Sequence, residues 1–380
     1  MGRINWNEPK FGEAEIHAVA EVLRSGYVTE GKWSSELVDL LKELLGVRHV
    51  ILTTSGGAAL FLAVKADQIV RDLQGFEVLV PDLTFIASAT SVELAGGIPV
   101  FVDIEEDSHC IDVVDAERKL TERSRAIMPV HVLGRACQMD AIRKLARDHD
   151  LLVIEDAANA LGSNSRYGML GTVGDMGCFS LQANKTITCG HGGFIATNSD
   201  QYNEAVCRLK DYGRHHKTEI LHDTSGFNFK FNDILAAVAV AQFRLLKERL
   251  EMLREQRKRY ERNLAGCKRI RFPDVKYEQG EVPLYVDVLS NDRDELKYFL
   301  EKNEIGSREC WAPLHRNPPY WNRGTDADFP VSCSVSDASL WLPNGNNVKM
   351  EEIDEVCSRV LDFFRSSADS LHAASFPPSA

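Results

Sequence analysis

Short apolar runs of β-type residues alternate with helix-length segments through the first half of the chain. The runs are His49–Thr53, Glu77–Pro81, Pro99–Asp103, Ala126–Val130, Leu151–Glu155, Met176–Ser180 and Gly193–Thr197, and helical patterns such as Ala58–Asp72, Phe85–Ala95 and Met139–His149 fall between them. Near-continuous apolar strands separated by helices predict a mostly parallel sheet covered by helices on both faces. In such a sheet ligands gather at the carboxyl ends of the strands, where Ser55, Asp156 and Ser180 fall.

The texture changes near Asn232. Ile234–Asn263 reads as one long helix, Ala-rich and apolar first, then densely charged (Lys247-Glu-Arg-Leu-Glu, Arg254-Glu-Gln-Arg-Lys-Arg). A helix with that profile leaves one core and crosses to a second. Beyond it, a short strand (Leu284–Val288) and two helices (Asp292–Lys302, Lys349–Arg365) predict a smaller α+β unit. The expected division is a large domain over 1–245, a small C-terminal domain over 246–367, and a Ser/Ala/Pro-rich, disordered tail over 368–380. No internal repeat is apparent.

At 380 residues the chain is too long for one small core, which agrees with two domains. The net charge of −12 disfavours nucleic acid and anionic membrane as partners, although a helix N-terminus still binds a small anion locally. Nine scattered cysteines, none in a CxxC pair, read as reduced thiols of a cytoplasmic protein rather than a disulfide framework or metal site. The start of the chain, Met1-Gly-Arg-Ile-Asn-Trp, has no apolar signal-like region, and no run approaches membrane-spanning length.

The chemistry concentrates in Ser180-Leu-Gln-Ala-Asn-Lys185-Thr-Ile-Thr-Cys-Gly-His-Gly-Gly193. Taken alone, Lys185 is a solvated loop lysine. Here it follows an apolar strand and precedes a glycine cluster that lets backbone approach a ligand, so a desolvated, nucleophilic amine is the competing reading. Asp156 ends the run Leu151–Glu155; it is either an N-cap or a carboxylate facing a cationic ring nitrogen, with neighbouring Glu155 turned to the other face. Thr54-Ser-Gly-Gly-Ala-Ala-Leu60, between a strand and a helix, is either a tight turn or a phosphate cradle of free N–H groups. Phe85 is a core residue or a ring-stacking one, and Asn228, in Gly226-Phe-Asn-Phe-Lys-Phe-Asn232, is a turn residue or a loop amide donor. A Schiff-base lysine, a phosphate cradle and a buried carboxylate are the parts that pyridoxal 5'-phosphate (PLP) requires.

In this order the blocks resemble the DegT/StrS-type nucleotide-sugar aminotransferases, a branch of the aspartate-aminotransferase-like, fold-type I PLP enzymes. The resemblance runs from about Trp6 to Phe364. It includes Ser25-Gly-Tyr-Val-Thr-Glu-Gly31, Ser55-Gly-Gly-Ala-Ala-Leu60, Val80-Pro-Asp-Leu-Thr-Phe85, Gly97-Ile-Pro-Val-Phe-Val-Asp103, Pro129-Val-His-Val-Leu-Gly134, Glu155-Asp-Ala-Ala-Asn-Ala-Leu-Gly162, Phe179–Gly193, Gly226-Phe-Asn228 and Pro313-Leu-His315. Asn184-Lys-Thr-Ile-Thr188 and Ser307-Arg-Glu-Cys-Trp-Ala-Pro-Leu-His315 are most similar to the perosamine-synthase-type branch.

The resemblance implies that Lys185 carries the cofactor and shuttles the proton, that Asp156 pairs with the pyridinium nitrogen and that Phe85 stacks on the ring. It implies that Gly56, Gly57 and Ser180 bind the phosphate, with Asn228 reaching it from the other subunit of a homodimer, and that Asn159 sits near the ring oxygen. His315, Arg308 and Tyr27 would face a nucleotide-linked keto sugar. The implied reaction moves an amino group from L-glutamate, through the pyridoxamine form, to a 4-keto-6-deoxy or 3-keto sugar. Four positions depart from the family pattern: Gly57 stands for threonine, Asn159 for glutamine, Leu161 for a frequent histidine, and His191 for the glutamate of Gly-Glu-Gly-Gly. A dehydratase on this scaffold replaces the lysine with histidine, a non-catalytic regulator would lack the lysine or add a DNA-binding domain, and a desulfurase would need Cys189 or Cys310 as a mobile nucleophile.

Overall fold

The computed structural model describes residues 2–214, 221–222 and 224–373. Two helices outside the predicted set come first, α1 (Glu13–Ser25) and α2 (Lys32–Leu45). In α1 only Glu15, Ala18 and Val22 are buried, so its apolar stripe is thin. The alternation then unfolds as β1 (His49–Thr53), α3 (Gly56–Val70), β2 (Glu77–Pro81), α4 (Ala87–Leu94), β3 (Ile98–Val102), α5 (Val113–Arg118), β4 (Ser124–Ile127), α6 (Met139–Asp148) and β5 (Leu152–Asp156). A small hairpin, β6 (Asn164–Ser165) and β7 (Gly168–Met169), precedes β8 (Met176–Ser180), β9 (Gly193–Thr197) and α7 (Asp200–Lys210).

Seven of these strands form one sheet in the order β1-β9-β8-β5-β4-β2-β3. Strand β9 runs antiparallel to both β1 and β8, and the other pairings are parallel. The two-residue period of the strands sorts their side chains to opposite faces. On β2, Val78 and Val80 pack in one cluster with the apolar residues of α3, α4 and α7, while Leu79 joins α5 and α6 in another. Each fully buried Val or Leu contributes about 1.5–3 kcal/mol, so both faces must be covered for the sheet to persist. One edge thereby collects the carboxyl ends of β1, β8, β5 and β2, together with the start of the reversed β9.

The predicted long helix is two helices, α8 (Asp233–Phe243) and α9 (Leu246–Leu264), broken at Arg244–Leu245. The reason is visible in the composition: α8 is apolar but for Asp233 and Gln242 and packs with the apolar residues of α2, β1 and β9, whereas α9 is charged and buries only one side. Tyr260 and Leu264 of α9 join a separate core. That core belongs to a three-stranded antiparallel sheet, β10 (Val286–Leu289), β11 (Arg308–Glu309) and β12 (Ser339–Leu342), in the order β10-β12-β11. It is flanked by α10 (Arg293–Lys302), with α11 (Pro330–Ala338) and α12 (Met350–Ala373) completing the fold. Helix α12 runs past Arg365 and through the first residues of the expected tail; 374–380 lie outside the described residues.

A buried ionic cluster ties the second sheet to the first. Asp287 on β10 accepts from Arg257 of α9 (2.8 Å) and from Arg135, which follows β4 (3.0 Å). Burial works against its charge, but Arg135 and Arg257 outweigh burial and hold the carboxyl at about 2. Removing one member of such a cluster would leave the others as uncompensated buried charges. No helix among the described residues is long and apolar enough to cross a membrane.

Candidate active site

A cavity of about 320 Å³ opens at the sheet edge where β1, β5 and β8 end. Its lining includes Gly56, Gly57, Phe85, Asp156, Asn159, Ser180, Lys185 and Arg308. Eight predicted site residues from dispersed stretches of sequence therefore share one space.

The wall at β1 is a helix start. Ser55 is the N-cap of α3, its Oγ accepting from Ala58 N at 3.0 Å, so the first N–H groups of α3 belong to Gly56 and Gly57. Glycine is obligatory at 56: a Cβ there would lie 2.8 Å from the Ser180 Cβ. That closeness puts the Ser180 hydroxyl beside the positive end of the helix dipole. At 57 a Cβ would meet nothing nearer than 3.8 Å.

Asp156, 5% exposed, ends β5. Its Oδ2 accepts from Ser88 Oγ (2.8 Å) and its Oδ1 from Ala158 N (3.1 Å). Burial raises its pKa; Ser88, the Ala158 N–H, Lys185 and His131 oppose that without cancelling it. The result is a carboxyl group whose ionised form is under-stabilised and which would gain from a cation placed against it. Glu155 faces the opposite side as expected, fully buried and accepting from Gly171 N, Val173 N, Gly174 N and His131.

The Lys185 Nζ donates to Asn159 Oδ1 at 2.7 Å, so the shorter amide at 159 reaches the amine itself. Burial lowers its pKa to about 8, with Arg308 adding to the effect and Asp156 opposing it. In the cofactor-free protein, borohydride-trapped labelling of Lys185 by pyridoxal should therefore rise with pH about a midpoint near 8; a midpoint near 10.5 would show a solvated amine. The unfolded chain holds this proton more tightly, so Lys185 destabilises the fold below pH 8, and stability rises with pH between about 8 and 10.5.

Phe85 is 55% exposed at the cavity wall, a large aromatic face left free rather than packed in the core. Arg308, on β11, lies over the rings of Trp6 (5.3 Å) and Trp341 (5.8 Å). Three predicted residues are elsewhere. His315 does not face the cavity: it is 4% exposed, with Nδ1 2.8 Å from Asp82 Oδ2 and Nε2 2.9 Å from Asp326 Oδ1. Nδ1 fastens its loop to Asp82 just after β2 and Nε2 is taken up by Asp326, so both nitrogens are engaged away from the cavity that it was expected to face. Tyr27 is exposed beside Gly31, outside the cavity of its own chain. Asn228 is exposed too, on a segment whose backbone pairs with Asp211. Between Asp211 and Ser225, residues 215–220 and 223 lie outside those described.

Other residues of the site were not singled out in the sequence. Ser88, buried behind the wall on α4, holds Asp156, and its hydroxyl lies 3.2 Å from that of Thr84, which lines the cavity. Tyr285, Trp311 and Trp341 come from the second sheet and its loops, and only tertiary packing brings them to the cavity. His191 lines it as well.

A phosphate-bearing aldehyde with a basic ring nitrogen fits these residues: an anion cradle, a poised amine, a buried carboxylate and an open aromatic face surround one space. Comparison with known proteins agrees. The model of the DegT/DnrJ/EryC1/StrS aminotransferase family matches residues 9–361. The chain is similar to the GDP-perosamine synthase of Caulobacter vibrioides, 35% identical over 363 residues that cover 94% of this chain and 97% of the relative. Among solved structures it is similar to S. venezuelae DesV in complex with a ketimine intermediate (29% identity, TM-score 0.87, covering 92% of this chain and 94% of that one). It is also similar to the PLP-form of Spr1654 from Streptococcus pneumoniae (25% identity, TM-score 0.88, covering 94% and 97%).

Proposed function

The chain belongs to the DegT/DnrJ/EryC1/StrS aminotransferase family and is a PLP-dependent sugar aminotransferase of fold type I, and from that premise we propose that it moves the amino group of glutamate to a keto carbon of a nucleotide-linked 4-keto-6-deoxy sugar. The observation that carries the reading is the Lys185 amine, with a pKa lowered to about 8, in one cavity with the buried Asp156. Likeness to a GDP-perosamine synthase supports a GDP-linked acceptor and an amino sugar made for a surface polysaccharide or glycosylated metabolite. The nine unbridged thiols support a cytoplasmic enzyme.

Bound PLP supplies an aldehyde carbon for the amine and a protonated ring that draws in the electron pair released at the neighbouring carbon. In this reading Lys185 is the nucleophile and then the base that takes and returns the substrate proton, a role that needs an amine titrating near neutrality. Asp156, fixed by Ser88 and the Ala158 N–H, keeps the ring nitrogen protonated. Asn159 orients Nζ, Phe85 covers the ring, and the Gly56 and Gly57 N–H groups with the Ser180 hydroxyl take the phosphate. Arg308 offers a cation to the anionic parts of both substrates. Exposed Asn228 is available to complete the phosphate site of a second copy, making the enzyme a homodimer with shared sites. Lys185 itself argues against a dehydratase, which has histidine there.

The test is to incubate the PLP-loaded protein with L-glutamate and then with GDP-, dTDP- and UDP-linked 4-keto sugars, following product by mass. Amination with the GDP-linked sugar is expected. Failure of glutamate to convert the cofactor, or amination confined to another nucleotide, would overturn the donor or the acceptor assignment respectively.

A further inference from the structure

We infer that His191 is a direct ligand of the cofactor phosphate and compensates for the hydroxyl that Gly57 lacks; this rests on the reading that PLP lies in the cavity with its phosphate at the start of α3. The two residues that follow His191 lead the chain to the cradle. Gly192 O accepts from Leu181 N at 2.9 Å, and Gly193 pairs with Ser180 on one side and Thr53 on the other. A Cβ on Gly193 would lie 2.5 Å from Gly56 N. Two residues earlier, His191 is exposed on the cavity wall. Its position is set by the backbone around it: Gly190 (φ 86°) and Gly192 (φ 145°) adopt conformations that other residues avoid, and the Cys189 thiol donates to His191 O at 2.9 Å.

Charge gives this placement a consequence. A phosphate monoester carries nearly two negative charges near neutrality, and a helix N-terminus offsets only about half a charge. Among the described lining residues, those able to carry positive charge besides Lys185 are Arg308 and His191. Arg308 is engaged on the side of the second sheet, over Trp6 and Trp341. Among the described lining residues that leaves His191, two residues from the glycine that packs on Gly56. The missing hydroxyl at 57 is not a steric necessity, because a Cβ there clears its neighbours by 3.8 Å or more. A ring N–H at 191 can supply the hydrogen bond that a threonine at 57 would otherwise give.

The test compares dissociation constants of apo-protein for PLP and for pyridoxal, which lacks the phosphate. His191→Gln is expected to weaken PLP about tenfold, the scale of one charge-assisted hydrogen bond, and to leave pyridoxal unchanged. His191→Lys should stay near the parent, and Gly57→Thr should recover most of the loss in the His191→Gln background while doing little in the parent. Equal PLP affinity in His191→Gln, an equal loss for pyridoxal, or an effect of Gly57→Thr that is the same in both backgrounds would each overturn the inference. So would a His191→Gln effect confined to GDP affinity, which would assign the imidazole to the nucleotide. A parent protein that takes up no PLP would instead overturn the functional reading.

Discussion

Lys185→Ala is expected to abolish the visible absorbance of the bound cofactor and to lower turnover by on the order of 10⁴-fold or more. The size of the effect comes from two losses at one atom. The amine that would hold the cofactor disappears, and so does the base that would move the substrate proton. The fold should survive, because the Lys185 side chain is only partly buried and its hydrogen bond runs to the single acceptor Asn159 Oδ1. The cradle at Gly56, Gly57 and Ser180 is untouched, so PLP should still bind, less tightly and without the lysine-dependent colour. Lys185→Arg separates charge from nucleophilicity. A guanidinium stays protonated at any working pH, so it should be as inactive as alanine. A coloured, active Lys185→Ala protein would sink the assignment.

The reach of the sequence can be judged from particular elements. Strands β1, β2, β8 and β9 have the ends that the apolar runs predict; β1 and β9 are bounded by polar or glycine residues on both sides, β2 by Asp82 at its end and β8 by Asp175 at its start. The two-residue β11 and four-residue β12 went unseen: segments so short give no period to read. The break at Arg244–Leu245 was missed because both halves favour helix, and the redirection comes from which core each half enters. At the site, Lys185, Asp156, Gly56 and Ser180 were legible, since each sits at a strand end or tight turn that topology delivers to one sheet edge. His315 was misassigned for a related reason. Its motif marks it as important, but the acids that occupy both ring nitrogens, Asp82 and Asp326, are distant from it or unremarked in the sequence. Arg308 and the tryptophans reach the cavity only through the docking of the second sheet, which no local pattern encodes.

Asp156→Asn is expected to lower turnover about 10³-fold, the scale of losing one preorganised electrostatic partner of a developing charge. The substitution is nearly isosteric and keeps an oxygen for Ser88 or the Ala158 N–H, so it removes charge rather than shape. Its second consequence can be read without any reaction. Asp156 is the acid that opposes the lowering of the Lys185 pKa. Without it, burial and the Arg308 charge act on Nζ with no opposing carboxylate, and the protonated amine becomes harder to maintain. The pyridoxal-trapping midpoint of the cofactor-free variant should therefore fall below the value of about 8 in the parent, making the amine more nucleophilic at neutral pH even as catalysis collapses. A variant that loses activity with an unmoved midpoint would place Asp156 outside the electrostatic reach of Lys185. A midpoint that rises would show that Asp156 does not act on Nζ as a negative charge and would overturn the electrostatic link between the two groups. The two readouts together separate an acid that acts on the cofactor ring from one that only shapes the cavity.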